Sequence, residues 1–360
     1  LPAESPHQDS FDTNYPLEMQ FGKIVTAAAA LAFTAFTGTA HAGATIDAIK
    51  ERGALRCGVN TGLAGFSIAD GQGKWTGLDA DMCRVMAAAL LGDANKVQWV
   101  PLSAQQRFTA LQSGEIDILS RNTTWTLTRD ASLGLVFAGV TFYDGQGFMV
   151  PASLGVKSAK ELSGAEVCVQ TGTTTELNLA DYFRANGMEF KPVVFESLEE
   201  SKVAFFNGRC QVYTTDASGL ASIRAVDASK PEDYVILPEL ISKEPLGPVV
   251  RRGDEEWFTI AKWAIYATLE AEEAGVTSKN VDKMKAESKN PTVQRLLGTS
   301  GDMGKLLGLD PEWAYRIIKQ VGNYGEIYNR SVGPETPLKL ERGLNALWTD
   351  GGLMYAMPIR

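Results

Sequence analysis

Two stretches of this chain echo each other without a gap: residues 108–122, FTALQSGEIDILSRN, and residues 202–216, KVAFFNGRCQVYTTD. Each reads as the end of an amphipathic helix, a small residue plus glycine that stops it, and a short apolar strand that runs out into Ser, Thr, Asn or Asp. A chain built on two such units is expected to form two similar lobes facing each other across a cleft. In open α/β sheets ligands bind beyond the carboxyl ends of the strands, so the polar tips around Asn122 and Asp216 are where the chemistry is expected.

The 360 residues, 44% hydrophobic and 21% charged, suffice for two domains with full cores. Residues 1–42 read as processing sequence. Met19 to Lys23 gives a short basic region, Ile24 to Phe36 an apolar run, and Ala40-His41-Ala42 a small-x-small cleavage pattern, so 19–42 is expected to be a cleaved signal peptide preceded by an extension. The apolar run falls short of the roughly 20 residues needed to span a bilayer, so export is expected rather than membrane anchoring. Without residues 1–42, which carry four acids and one lysine, the formal charge moves from −9 to −6. That acidic balance argues against a nucleic-acid partner. His7 and His41, the two histidines of the chain, leave with the same segment. A mature chain without histidine has no Ser-His or Cys-His nucleophile pair, no histidine-based zinc site and no histidine general base. No cofactor is expected.

Four cysteines remain and allow three pairings. Cys57 with Cys83 and Cys168 with Cys210 are favoured, because each pair then lies within one lobe; four buried free thiols are the alternative.

Along the chain, strand 54–60, a hairpin near Asp70–Gly73, helix 78–90, strand 97–100, helix 105–112 and strand 116–119 alternate as βαβ units do. A second set follows: strand 166–170, helix 174–185, strand 193–195, helix 199–206 and strand 211–214. The segments 147–151 and 244–249 are expected to be the two connections of a hinge. Helical periodicity then covers 256–271, 290–297, 311–322, 325–332 and 340–348, with Trp257, Trp263, Trp313 and Trp348 expected in the core.

Gly77-Leu78-Asp79-Ala80-Asp81, Leu111 to Asp117, Thr124-Trp125-Thr126-Leu127-Thr128-Arg129, Gly145-Gln146, Val169 to Thr174 and Thr215-Asp216 occur in the order found in periplasmic amino-acid-binding proteins of ABC importers. The chain resembles that family over roughly residues 53–265, and its long helical tail resembles the general L-amino-acid-binding subgroup. The resemblance implies a type II periplasmic-binding-protein fold of class α/β, with two parallel-type sheets flanked by helices, a hinge and a helical C-terminal extension. The expected domains are 43–147 with 249–360 as lobe 1 plus the extension, and 148–248 as lobe 2.

It also implies a site. Arg129 corresponds to the arginine that clamps the ligand's α-carboxylate, a task suited to a permanently charged fork of donors. Thr173 and Thr174 open a helix whose free N–H groups favour a carboxylate, and simple N-capping is compatible with that role. Asp216 corresponds to the partner of the ligand's ammonium. Asn122 and Thr124 add hydrogen bonds, and Gln170 lies in a loop near the ligand. The family's covering aromatic is replaced by Leu63, leaving Phe66, Trp125 or Tyr143 to take over. Asp79 and Asp81 read as helix-start acids.

The implied function is capture of L-α-amino acids in the periplasm and delivery to an inner-membrane ABC permease by a monomer that does not itself span the membrane. A lyase or dehydratase on the same fold is the alternative.

Overall fold

The computed structural model describes residues 43–360, so the expected extension and signal peptide at 1–42 lie outside the described residues. In chain order the strands are β1 (Leu55–Val59), β2 (Ile68–Ala69), β3 (Trp75–Thr76), β4 (Val97–Pro101), β5 (Ile118–Leu119), β6 (Leu135–Phe137) and β7 (Phe142–Asp144). There follow β8 (Gln146–Pro151), β9 (Glu166–Gln170), β10 (Lys191–Phe195), β11 (Val212–Asp216), β12 (Tyr234–Ile236), β13 (Glu244–Leu246) and β14 (Val249–Arg251). Ten of them build two five-stranded sheets, ordered β4-β1-β5-β14-β6 and β10-β9-β11-β8-β12, and β2 pairs with β3 as a separate hairpin.

The two sheets have one wiring. In each the first three strands are parallel and the fourth and fifth each run antiparallel to their inner neighbour. The echoed strands β5 and β11 hold the same third place, so the sequence repeat is a repeat in space. The sheets are mixed rather than parallel throughout, for a topological reason. The fourth strand of each, β14 or β8, enters directly from the other lobe without a crossover helix, and only helix-linked neighbours are obliged to run parallel. The two passages between lobes lie side by side as the antiparallel pair β7 and β13. Residues 147–151 are therefore inside the second sheet, and the first crossing falls just before them.

Helix Leu78–Leu91 starts without a side-chain cap at Gly77. Its first N–H groups are instead taken by the carbonyls of Gly65 and Phe66. Gly77 has φ 119°, and a Cβ there would strike the Phe66 carbonyl. This is why the Gly-Leu-Asp motif needs its glycine.

The C-terminal helices pack on the first lobe. Helix Glu255–Glu273 buries Trp257, whose indole N–H donates to the Asp117 carbonyl at 3.0 Å. Trp313 is buried on helix Trp313–Gln320, whereas Trp348 is 48% exposed, lies against Tyr355 with the rings tilted and donates to Glu273. The expected helix at 340–348 is only two short turns, Gly343–Asn345 and Trp348–Asp350. Gly343 adopts φ 47°, and the Asn345 side chain is pulled away to accept from the Tyr143 N–H at 2.6 Å and donate to its carbonyl at 3.1 Å. Tertiary hydrogen bonding outweighs the local period there.

Both expected disulfides are present. Cys57 on β1 is bonded to Cys83 of helix Leu78–Leu91, and Cys168 on β9 to Cys210 just before β11, with Cα separations of 6.2 and 5.6 Å. Among the described residues no helix is long and apolar enough to cross a membrane.

Candidate functional site

The polar ends of β1, β5 and β11 meet at the boundary between the lobes. Asn60, just after β1, donates its side-chain amide to the Asn122 side-chain oxygen Oδ1 at 3.0 Å. Asn122 also lies beside Asp216, its counterpart in the repeat, where it favours the ionised carboxylate. Asn122 holds φ 32°, a left-handed conformation that asparagine tolerates better than most residues. Asp79 fixes it, accepting from the Asn122 backbone N–H at 2.6 Å and from the Ser120 hydroxyl. Asp79 therefore does more than favour a helix start: it reaches from that helix to clamp the loop after β5. Burial pushes its carboxyl up to about 6, against the opposing hydrogen bonds from Asn122 and Ser120. Asp81, by contrast, pairs with Arg84 and Arg330 away from this loop.

Arg129 sits on helix Leu127–Ser132, capped by Thr126, and is 8% exposed. Its guanidinium donates to the Thr124 carbonyl at 2.9 Å and lies 5.0 Å from the Phe108 ring. Burial lowers its pKa while the charges of Glu244 and Asp216 raise it, so a cation and two acids share this space. Burial also holds the Asp216 carboxyl well above its ordinary value, reinforced by the charges of Asp144 and Glu244; Asn122 and Arg107 act the other way.

From the second lobe comes helix Thr174–Ala185. Thr173 is its N-cap, accepting from the Glu176 N–H and donating to the Gln170 carbonyl. Thr174 points its hydroxyl to within 3.4 Å of the Thr124 hydroxyl. Both hydroxyls donate to Glu244, at 2.9 and 2.6 Å. The lobes are thus in contact, a closed arrangement that also includes Ser222 donating to the Ala64 carbonyl.

Arg129, Thr124, Asn122, Thr174 and Asp216 are brought together, with Thr173 at the adjoining helix start. The other expected residues are placed differently. Phe66 is buried in the core with its ring edge-on to Phe142, and Leu63 is buried beside Ser67, with which it forms an isolated bridge. Of the aromatics left open by the sequence, Trp125 and Tyr143 keep partial exposure. Gln170 turns its amide to the Glu196 carbonyl.

Sequence reasoning missed Glu244, Asp144, Arg107 and Arg121. Glu244 and Asp144 lie on the paired crossing strands β13 and β7, and Glu244 also accepts from Asn178 and Ser242. Asp144 accepts from Ser218 and the Gly145 N–H, and burial pushes it up to about 6. Nothing local in the sequence distinguishes these four from surface charges. Their burial was the missing information, although Arg121 does lie inside the repeat.

A family model for bacterial extracellular solute-binding proteins, family 3, matches residues 55–280. The chain belongs to this family. It is 55% identical over 340 residues, 94% of the chain and 99% of the relative, to the general L-amino acid-binding periplasmic protein AapJ of Rhizobium johnstonii. It is 54% identical over 330 residues, 92% and 97% of the two chains, to the glutamate/glutamine/aspartate/asparagine-binding protein BztA of Rhodobacter capsulatus. A solved ABC-transporter periplasmic binding protein of Brucella ovis, with glutathione bound, superposes with a TM-score of 0.86 at 55% identity over 88% of this chain and 99% of that one. The type II periplasmic-binding-protein fold expected from the motifs is the fold of this solute-binding protein.

Proposed function

We propose that this solute-binding protein captures L-α-amino acids in the periplasm and hands them to an ABC permease of the inner membrane. The observation that carries the reading is the convergence of a buried guanidinium, Arg129, and a buried carboxylate, Asp216, from opposite lobes. A zwitterion stripped of water needs both its charges satisfied, and charge-assisted hydrogen bonds contribute about 1.5–3 kcal/mol each. Several of them suffice for micromolar affinity, about −8 kcal/mol, after ordering costs. Arg129 with Thr124 and the start of helix Thr174–Ala185 takes the α-carboxylate; Asp216, beside Asn122, takes the ammonium. Glutathione, bound by the Brucella neighbour, carries the same free α-amino and α-carboxylate groups at its γ-glutamyl end. The proposed lobes are 43–147 with 249–360, and 148–248, and the sheet topology supports that division.

Because the contacts come from both lobes, ligand favours the closed state, which a permease distinguishes from the open one. No covalent step is involved, and a cyclohexadienyl acid incubated with the protein is expected to be recovered unchanged. Calorimetric titration with the twenty amino acids and glutathione tests the reading. Heat from at least one of them, abolished in Arg129→Ala, is expected. Silence from all of them sinks the function, and normal binding by Arg129→Ala sinks the site.

A further inference from the structure

We propose that the seam between the first lobe and the C-terminal extension holds a second ligand site, for a small multivalent oxyanion, independent of the cleft between the lobes. The seam encloses a cavity of 610 Å³, the size of an ordinary small-molecule site. One wall comes from the hairpin of β2 and β3 and from helix Leu78–Leu91, the other from helices Trp313–Gln320 and Tyr324–Ser331. Gln320 pins the walls together, accepting from the Ala94 N–H at 2.8 Å and donating to the Gly92 carbonyl at 3.0 Å. The charged residues lining the cavity are four cations, Lys74, Arg84, Lys319 and Arg330, and one acid, Asp81.

Asp81 is shared. Arg84 Nη1 meets one of its oxygens at 2.8 Å, and Arg330 meets the other through Nε at 2.8 Å and Nη2 at 2.7 Å, so one carboxylate serves two guanidiniums. Lys319 pairs with Asp282, but both side chains are exposed, where an ion pair contributes little. Glu326, whose carboxyl feels Arg330, is engaged by the Ser278 N–H and hydroxyl and by the Asn323 N–H. Lys74 forms no ion pair among the described residues. Even with Asp282 and Glu326 counted beside Asp81, four cations face three carboxylates, in a protein whose overall charge is negative. A second observation points the same way. Ser331 lines the cavity at 8% exposure, and its hydroxyl is buried with no hydrogen-bond partner among the described residues. A buried hydroxyl left unpaired is costly, and an oxyanion in the cavity supplies the acceptor it lacks. Forked guanidiniums and a point-charged ammonium together suit a ligand with several charged oxygens. Lys74 and Arg84 belong to the first lobe, Lys319, Arg330 and Ser331 to the extension, so the anion bridges the two and favours the docked extension.

The test is calorimetric titration at low ionic strength with inorganic phosphate, pyrophosphate and citrate, against sodium chloride at matched ionic strength. At least one of the three is expected to bind at a single site with a Kd below about 1 mM, and Arg129→Ala is expected to bind it as the wild type does. Lys74→Gln, at an exposed position without an ion pair, is expected to weaken that binding about five-fold, and Lys74→Gln combined with Lys319→Gln about ten-fold or more, with amino-acid binding unchanged. Binding of phosphate or pyrophosphate without citrate supports the site and assigns it a phosphoryl ligand; binding of citrate alone supports it and assigns a polycarboxylate. Heat no greater than the chloride control from all three overturns the site in the wild type, with no variant needed. Unchanged anion binding in the double variant overturns it as well, and so does anion binding lost in Arg129→Ala, which places the anion between the lobes. None of these outcomes bears on amino-acid capture, which stands or falls by its own titration.

Discussion

Asp216 shows how strongly burial alone changes a side chain's chemistry. In sequence it is one acid among 43 aspartates and glutamates; folded, it lies beside Asp144 and Glu244 with its carboxyl pushed well above the ordinary range. As the ammonium partner it must be ionised, so affinity for amino acids is expected to fall as pH drops, beginning above the usual carboxylate range. Asp216→Asn is expected to remove most of that pH dependence along with most of the affinity. Calorimetry between pH 8 and pH 5 reads both. Asp79 makes the complementary statement about stability. Its folded carboxyl titrates near 6 against an ordinary 3.8, so the folded state binds the proton more tightly. Stability from this group is therefore greatest below about pH 4 and declines as pH rises to about 6. Asp79→Asn should flatten that part of the profile of denaturant midpoint against pH, leaving the similar slope of Asp144. Asp79→Ala, which strands the Asn122 N–H and Ser120 hydroxyl, should cost about 2–3 kcal/mol.

Among the elements, the paired crossing strands β7 and β13 matter most, since they carry Asp144 and Glu244 and join the lobes. The C-terminal extension reaches this pair through Asn345, whose amide closes a two-point contact with the Tyr143 backbone. Nearby, Tyr324 donates to the Thr141 carbonyl at 2.8 Å. The extension thus braces the hinge from the first-lobe side. Asn345→Ala is expected to destabilise by about 1–3 kcal/mol and to raise hydrogen exchange at Tyr143 more than at β1. Unchanged exchange there would deny the brace. The Cys168–Cys210 bond closes a 42-residue separation that contains the helix Thr174–Ala185, β10 and the helix Leu198–Phe206. Removing it by Cys210→Ser, with Cys168→Ser to avoid a free thiol, should lower stability by roughly 2–4 kcal/mol without moving the first lobe's cleft residues.

For the molecule as a whole, two sheets of one wiring face each other through equivalent strand ends, and the residues that close the gap come from both. Thr124 and Thr174, Arg107 and Gly172, Ser222 and Ala64 form contacts that opening would break. Scattering curves are expected to show a more compact particle with a bound amino acid than without, and Ser222→Ala should weaken affinity several-fold without touching the proposed ligand groups. A particle whose dimensions ignore ligand would contradict capture by closure.

The sequence alone determined the repeat, the alternation of strands and helices and the residues at the strand tips, while the cysteine pairing it favoured was decided by the fold. The first three are written locally, in hydrophobic period, glycine stops and polar run-outs, or in motif order. It did not determine the fate of residues whose role depends on what packs against them. Phe66 was drawn into the core against Phe142, and segment 340–348 gave up its helix because Asn345 bonds to Tyr143. Asp79 left the helix cap to hold Asn122, and Glu244, Asp144, Arg107 and Arg121 acquired their character from burial between lobes. Periodicity reports which face of an element is apolar; only the assembled lobes decide which charged groups lose their water, and those groups make the cleft.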